Sequence, residues 1–331
     1  MHVLVLGAAG MLGRKLTARL ASQTTLLGRS ICEFTLADIA AAEAPAGFSG
    51  KVNALATDLS APETATALIA ARPDVIFHLA SIVSGEAEAD FEKGYRVNFD
   101  GSRNLFEAIR HAHLADGYHP RLIFTSSVAV FGIPFPPKIP DEFFQTPLSS
   151  YGTQKAMVEL MLADYTRRGF FDGIGIRLPT ICVRPGTPNK AASGFFSNIL
   201  REPLAGREAV LPVPDTVRHW FASPRAAVGF MLHAAALDLQ KIGPRRNLNM
   251  PGLSATIADE IEALRRVAGQ KAVELIRREP NAAIEAIIST WAEDFDTTRA
   301  TSLGFKAEAS FDEIIQAHIE DELGGAIPHN S

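Results

Sequence analysis

Cysteine is scarce: Cys32 and Cys182 are the only two in 331 residues. They stand in apolar runs with no ligand-like spacing, which excludes a disulfide-stapled scaffold and a cysteine zinc site and predicts two reduced, buried thiols. Long apolar stretches are missing too; none reaches the roughly 18 residues that a membrane span needs. Charge of one sign is not in excess. Lys and Arg number 32 against 37 Asp and Glu, a net −5, which gives no electrostatic basis for binding nucleic acid or an anionic membrane surface. The apolar start lacks the basic segment and small-residue cleavage site of a signal peptide. Repeats, low-complexity tracts and linkers are absent, and no spacing suggests a metal site; Glu86, Glu88 and Asp90 read as a solvated or capping face. What remains is 47% hydrophobic and 21% charged, the composition of a globular, cytoplasmic protein with a large core and one or two domains.

The apolar run His2 to Leu6 is followed at once by Gly7, Gly10 and Gly13, spaced G-x-x-G-x-x-G, and then by an amphipathic helix from Met11 to Ala21. Strand, glycine turn and helix is the context of a dinucleotide site: glycines let the backbone approach a pyrophosphate lying on the positive helix end. Further strands are predicted over 33–37, 52–56, 75–79, 122–125 and 174–178, and helices over 62–71, 94–113 and 151–169. Pro62 suits a first helical turn, with Ser60 as its cap. Regular alternation of this kind predicts an α/β fold, a doubly wound parallel sheet with its ligand at the carboxyl ends of the strands.

The functional signals fall at those ends. Asp38 follows the second strand, where a carboxylate accepts from the adenosine ribose hydroxyls and repels a 2′-phosphate. That favours NAD over NADP, although Arg14 and Arg29 are cations able to meet a 2′-phosphate. Asp58, in Thr57-Asp58-Leu59, either meets the adenine amino group or caps a helix. His78-Leu79-Ala80-Ser81 brings small residues where a nicotinamide ribose lies close, with His78 itself a packed strand histidine. Ser126 and Ser127 end the fifth strand, as holders of a substrate oxygen or as turn formers. Tyr151 and Lys155, four residues apart, share one helix face. A phenol is a poor base with its pKa at about 10, but an ammonium at roughly 4 Å contributes about 4 kcal/mol toward the phenolate at an effective dielectric near 20. This makes Tyr151 an acid/base and Lys155 its activator.

Gly7-x-x-Gly10-x-x-Gly13, His78-Leu79-Ala80, Asn98 in Tyr-Arg-Val-Asn, Ser126-Ser127 and Tyr151-x-x-x-Lys155 resemble, in the same order, the extended short-chain dehydrogenases/reductases. Within that group the chain is most similar to the NAD-dependent D-erythronate dehydrogenases, over Ser84–Phe91, Ser150–Lys155, Arg184–Asn189 and Arg201–Gly206. The resemblance implies a Rossmann-type domain over residues 1–180 plus about 224–250, with a smaller C-terminal substrate-binding part over about 181–223 and 251–331. It implies NAD held by Gly7, Gly10, Met11, Leu12, Gly13, Asp38, Asp58, Leu59, Ala80, Tyr151, Lys155 and Leu178. It makes Ser127 the catalytic serine beside Tyr151 and Lys155. Asn98 would orient the active-site helix and a water that relays the proton of Lys155.

The segment from Ile181 to Arg225 is rich in Pro, Gly, Asn and Ser and carries Arg184, Asn189, Ser193 and Arg218. The substrate would meet Ser84, Ser127 and Tyr151, with its carboxylate on Arg218 first or on Arg184, unless either makes an ordinary ion pair. The implied reaction oxidises the C2 hydroxyl of a small sugar acid, D-erythronate to 2-oxo-erythronate; the assembly stays open, a homodimer among the options. Nucleotide-sugar epimerases and dehydratases share this superfamily. Two departures speak against them: Arg177-Leu178-Pro179-Thr180 lacks their Asn, and Val130-Phe131-Gly132 replaces Val-Tyr-Gly. An intact Ser127, Tyr151 and Lys155 set speaks against a non-catalytic dinucleotide sensor. The remaining signals are scaffold: Ser223-Pro224 capping a helix to about Leu239, Ile257, Ile261, Leu264 and Ala268 at helical spacing, and Ser310-x-x-Glu313 as a capping box.

Overall fold

A strand apolar on both faces has to be covered on both faces, and Val3, Leu4, Val5 and Leu6 are all withdrawn from water. In the computed structural model, which describes residues 1–186 and 193–328, this run is β1 (His2–Leu6), an interior strand of a seven-stranded parallel sheet. The other early strands are β2 (Glu33–Asp38), β3 (Lys51–Ala56), β4 (Val75–His78), β5 (Arg121–Ser127) and β6 (Asp172–Leu178). Two short strands follow, β7 (Thr180–Ile181) and β8 (Arg218–Ala222), and then β9 (Asn247–Asn249) and β10 (Leu253–Thr256). The large sheet runs β3-β2-β1-β4-β5-β6-β9, every pair parallel. Winding therefore reverses between β1 and β4, and the crevice at that switch point is where such sheets take their ligands.

Helices α1 (Met11–Gln23), α2 (Pro62–Ala70), α3 (Gly101–Asp116) and α4 (Ser150–Arg167) cover the sheet. Pro62 opens α2 as expected, but Ser60 is not its cap: Ala61 holds that position, and the Ser60 N–H is given to Asp58 instead. The single helix expected from Gly94 to His113 is broken. A short α turn at Phe91–Gly94 passes into a π-helical stretch at Tyr95–Asp100 before α3 begins. Such widened turns occur often at functional sites, and this one carries Asn98.

A second core is built from the later part of the chain, by α5 (Gly194–Leu204), α7 (Ile257–Ala268) and α8 (Phe311–Glu322), with Phe196, Leu200, Leu264 and Ile314 inside it. Between them in sequence, α6 (Pro224–Ala236) returns to the first core through Ala227, Phe230 and Met231; Ser223 caps it by accepting the Ala226 N–H, and it ends short of Leu239. Ile257, Ile261 and Leu264 line the buried face of α7, whose Thr256 and Asp259 close a reciprocal capping box. At α8 the expected box stays open: Ser310 accepts the Glu313 N–H, but the Glu313 carboxylate takes the Ala309 N–H. Cys182 is buried, whereas Cys32, at the mouth of β2, is exposed. Thr187, Pro188 and Asn189 lie outside the described residues.

Glu260 is fully buried in α7, and neither of its oxygens has a hydrogen-bond partner among the described residues. Burial, helped by neighbouring Asp259, raises its pKa well above the ordinary carboxyl value of 4.5. The native chain therefore holds a proton that the unfolded chain releases. Its stability contribution is full below pH 4.5 and is lost as pH rises toward the native pKa, by at most about 1.4 kcal/mol per pH unit for one proton. Glu260→Gln should flatten this loss, so that the variant gains on the wild type between pH 5 and pH 8 in denaturant unfolding. Parallel pH profiles for the two proteins would show that Glu260 holds no extra proton in the native state across that window.

Candidate active site

The crevice between β1 and β4 is closed at its floor by backbone. Gly7 has a φ of +85°, and a Cβ there would lie 2.7 Å from the Ala80 nitrogen, so no side chain fits. Gly10 then starts α1 without a side-chain cap, and no acidic residue stands in its first turn. The leading amides around Met11, Leu12 and Gly13 are left for an anion. Asp38, ending β2, is fixed against the glycine turn: Oδ2 accepts the Ala9 N–H at 2.9 Å and Oδ1 the Ile39 N–H at 2.7 Å. Asp58 accepts the Ser60 N–H at 2.9 Å, which holds its carboxyl below the usual range, and Leu59 lies against Gly101 at the head of α3. Leu178 pairs in register with Ser127. Arg14 donates to the Ala9 carbonyl in this turn. Arg29 lies at the opposite end of the sheet, bound to Asp74 at 2.8 Å. A glycine turn, an uncapped helix start and a carboxylate beyond β2 fit a dinucleotide.

The start of α4 is seated on the turn after β5. A Cβ on Gly152 would fall 2.1 Å from the Ala129 carbonyl oxygen, so only glycine permits this approach. Ser149 caps the helix through the Gly152 N–H at 3.1 Å, and the Glu88 carboxylate accepts the Ser150 N–H. Tyr151 is thereby brought to the end of β5, where the Ser127 and Ser81 side chains are near enough to its hydroxyl to favour the phenolate. Ser126 points the other way, buried and without a partner among the described residues, as strand alternation requires. Lys155 is 3% exposed; its Nζ donates to the Thr125 carbonyl at 2.9 Å and lies 5.6 Å from the centre of the Tyr151 ring. Asn98 sits behind them. Its Nδ2 donates to Gln154 Oε1 at 2.7 Å, tying it to α4, and its Oδ1 accepts the Ile82 N–H at 2.8 Å.

The electrostatics correct the sequence reading. A lysine ammonium was expected to dominate Tyr151; burial dominates instead, pushing the phenol up to about 12 against the pull of Ser127 and Ser81. Burial also brings Lys155 down to about 7, with Glu159 opposing. Glu159 is itself held in a buried ion pair with Arg177 at 2.8 Å. His78 is packed and neutral as expected, its pKa pulled to about 3 by burial, with Nε2 2.8 Å from Ser102 Oγ.

On the substrate side the two arginines differ. Arg218 opens β8 exposed, with its guanidinium on the Ser254 carbonyl at 3.1 Å. Arg184 is half-buried and donates to Ser193 Oγ at 2.9 Å; burial and nearby Arg201 lower its pKa, and among the described residues it has no carboxylate partner. Thr180, where an epimerase Asn was sought, bonds His219 Nε2 at 2.6 Å. Ser84 begins a short helix, Ser84–Ala89, after the Ser81 loop. The sequence reading set Ser81 beside the nicotinamide ribose rather than near the phenol, and it missed Gln154, His219 and the partner of Glu88. Ser81 had a signal, standing one residue after Ala80 at a strand end; the others are defined by contacts across the fold. Among the described residues, no three His, Cys, Asp or Glu side chains group to hold a metal, and no helix is long and apolar enough to cross a membrane.

The model of the NAD dependent epimerase/dehydratase family matches residues 3–232. A D-erythronate dehydrogenase of Cupriavidus necator is 47% identical over 326 residues, 97% of this chain and 98% of that protein. One from Haemophilus influenzae is 41% identical over 323 residues, 98% of this chain and 100% of its own length. Among solved structures, a protein of Agrobacterium tumefaciens described as a nucleoside-diphosphate-sugar epimerase superposes with a TM-score of 0.97 at 67% identity, over 99% of this chain and 96% of the other.

Asn98→Ala would leave Gln154 Oε1 and the Ile82 N–H without their partner. Leaving buried polar groups unsatisfied costs about 1–3 kcal/mol, and denaturant unfolding should show a loss of that size. An unchanged midpoint would mean that α4 is positioned by packing alone.

Proposed function

The chain belongs to the NAD dependent epimerase/dehydratase family, and we propose that within it this protein oxidises the C2 hydroxyl of a small sugar acid with NAD, turning D-erythronate into 2-oxo-erythronate. The observation that carries this reading is Tyr151 brought beside Ser127 and Ser81 at the strand ends, with the buried Lys155 Nζ 5.6 Å from its ring centre and anchored on the Thr125 carbonyl. The two D-erythronate dehydrogenases, alike over nearly the whole chain, support the choice of acid.

Oxidised NAD, when bound, supplies the hydride acceptor and a positive charge beside the site. Gly7, Gly10, Gly13, Met11 and Leu12 would cradle it, with Asp38 toward the adenosine ribose, Asp58 and Leu59 at the adenine side, and Ala80 and Leu178 flanking the reactive end. Ser127 holds the substrate oxygen. Tyr151 takes the hydroxyl proton, and Lys155, anchored on Thr125, takes up charge as the phenolate forms. Asn98 keeps α4 in register through Gln154. Positioning the acid so that its C2 faces the crevice falls to Ser84 and an arginine. We assign the carboxylate to Arg184, because a guanidinium withdrawn from water without an acid partner is completed by an anion. Residues 1–180 with 224–250 would form the cofactor part and residues 181–223 with 251–331 the substrate part. We place the enzyme in the cytoplasm, in keeping with its two unpaired cysteines.

The description of the Agrobacterium protein favours a second reading, a nucleotide-sugar epimerase that keeps its NAD tightly bound. Against it, the Thr180 hydroxyl is already engaged by His219 and offers no amide to a sugar nucleotide.

Formation of NADH by the purified protein with a panel of four-carbon sugar acids, run with NAD and in parallel with NADP, separates the two. A strong rate on D-erythronate with NAD is expected. Silence on every acid, with NAD found retained, would favour the epimerase.

Arg184→Ala should raise KM for the acid about 10–100-fold, the loss of one charge-assisted contact, and leave KM for NAD unchanged. A larger rise in Arg218→Ala would move the carboxylate to the start of β8.

A further inference from the structure

Ser81 has one hydroxyl proton and three acceptors around it. Its Oγ donates to Asn98 Oδ1 at 2.9 Å and to the Ile82 carbonyl at 3.0 Å, and the Tyr151 hydroxyl is the third oxygen nearby, close enough for Ser81 to favour its phenolate. Neither of the first two acceptors depends on it. Asn98 Oδ1 also receives the Ile82 N–H at 2.8 Å, and the Ile82 carbonyl receives Asn98 Nδ2 at 3.2 Å. The Ser81 proton can therefore leave both without exposing a buried acceptor, and the Asn98–Ile82 pair holds the serine in place while it turns.

Ser127 is committed differently. Its Oγ accepts the Ala129 N–H at 3.2 Å, which frees its own proton for an oxygen in the site. When a substrate oxygen takes that proton, the Tyr151 oxygen loses one of its two serine partners. Only Ser81 is then left to it, from a loop pinned by the Asn98–Ile82 pair.

We propose that Ser81 is a further catalytic residue: its hydroxyl rests on Asn98 and Ile82 while Tyr151 is neutral, and turns to donate to the Tyr151 oxygen once that oxygen is a phenolate. The Ser81 O–H bond stays intact throughout, so the step is a reorientation and no proton is transferred from the serine. The inference rests on the acid/base reading of Tyr151 given above. It needs no particular acid as substrate.

The test is an ultraviolet difference titration of tyrosinate in the full chain with saturating NAD, with Tyr151→Phe subtracted to isolate the one phenol. In Ser81→Ala the Tyr151 step should move up by about one pH unit or more, the weight of a hydrogen bond to a charged group. Ser81→Thr, which keeps the hydroxyl, should titrate with the wild type. A Ser81→Ala curve lying on the wild-type curve would overturn the proposal, since a serine that merely shapes its loop leaves the phenol where it was. So would a shift in Ser81→Ala that Ser81→Thr fails to restore. If the wild type shows no Tyr151-dependent step at all, the acid/base reading itself falls and this inference with it. Absence of turnover on D-erythronate with the step present would instead fault only the choice of substrate.

Discussion

Taking a phenol and an amine out of water side by side sets their protons against each other. Burial drives Tyr151 up to about 12 and Lys155 down to about 7. Between those values the pair has one proton to hold, on the phenol with a neutral amine or on the amine with a phenolate. The second state is the base that the proposed oxidation calls for. It is reached without exchanging a proton with solvent, and a positive charge placed beside the phenol favours it. The surroundings bear on this balance from both sides. The Thr125 carbonyl and Glu159 favour the ammonium, Ser127 and Ser81 favour the phenolate, and the apolar walls oppose both charges. The site is poised by desolvation and released by charge.

That balance depends on a few close approaches of backbone. The end of β5 supplies Thr125 and Ser127 from one run, with Ser126 turned away between them. The absence of a side chain at Gly152 lets α4 sit on the Ala129 carbonyl, and a wider turn in the helix before α3 delivers Asn98 to Gln154. Gly7 does the same for the crevice, where β1 and Ala80 meet across the point at which the winding reverses. Fold and chemistry are joined at these contacts.

The sheet was largely legible in the sequence because parallel strands buried on both faces leave short apolar runs, such as Val3–Leu6 and Leu122–Phe124, and these punctuate the chain regularly. The glycine turn, Asp38 and the Tyr151–Lys155 spacing were legible because each is local. What escaped is what depends on distant partners or on solvent. The π-helical turn around Asn98 has no periodic signature, since the apolar positions on either side keep a helical rhythm. Cys32 looked buried by its neighbours, yet it sits at a strand mouth. The direction of the Tyr151 and Lys155 shifts depends on how much water the fold removes, and a spacing of four residues says nothing of that. Arg184 and Arg218 were equal as residue types, and it is burial and partners across the fold that set them apart.

The last strand of the sheet, β9, comes from far along the chain, and Asn249 on it accepts from Arg177 at 3.1 Å, the same guanidinium that holds Glu159 beneath Lys155. The large sheet is thus built from two stretches far apart in sequence. An engineer wishing to exchange everything after β6 for the same stretch of a relative has no clean seam there: a graft at that point carries away the sheet's edge and one clasp of the buried charge behind the lysine. Single substitutions leave that edge strand and that clasp in place, where a transplanted cassette does not.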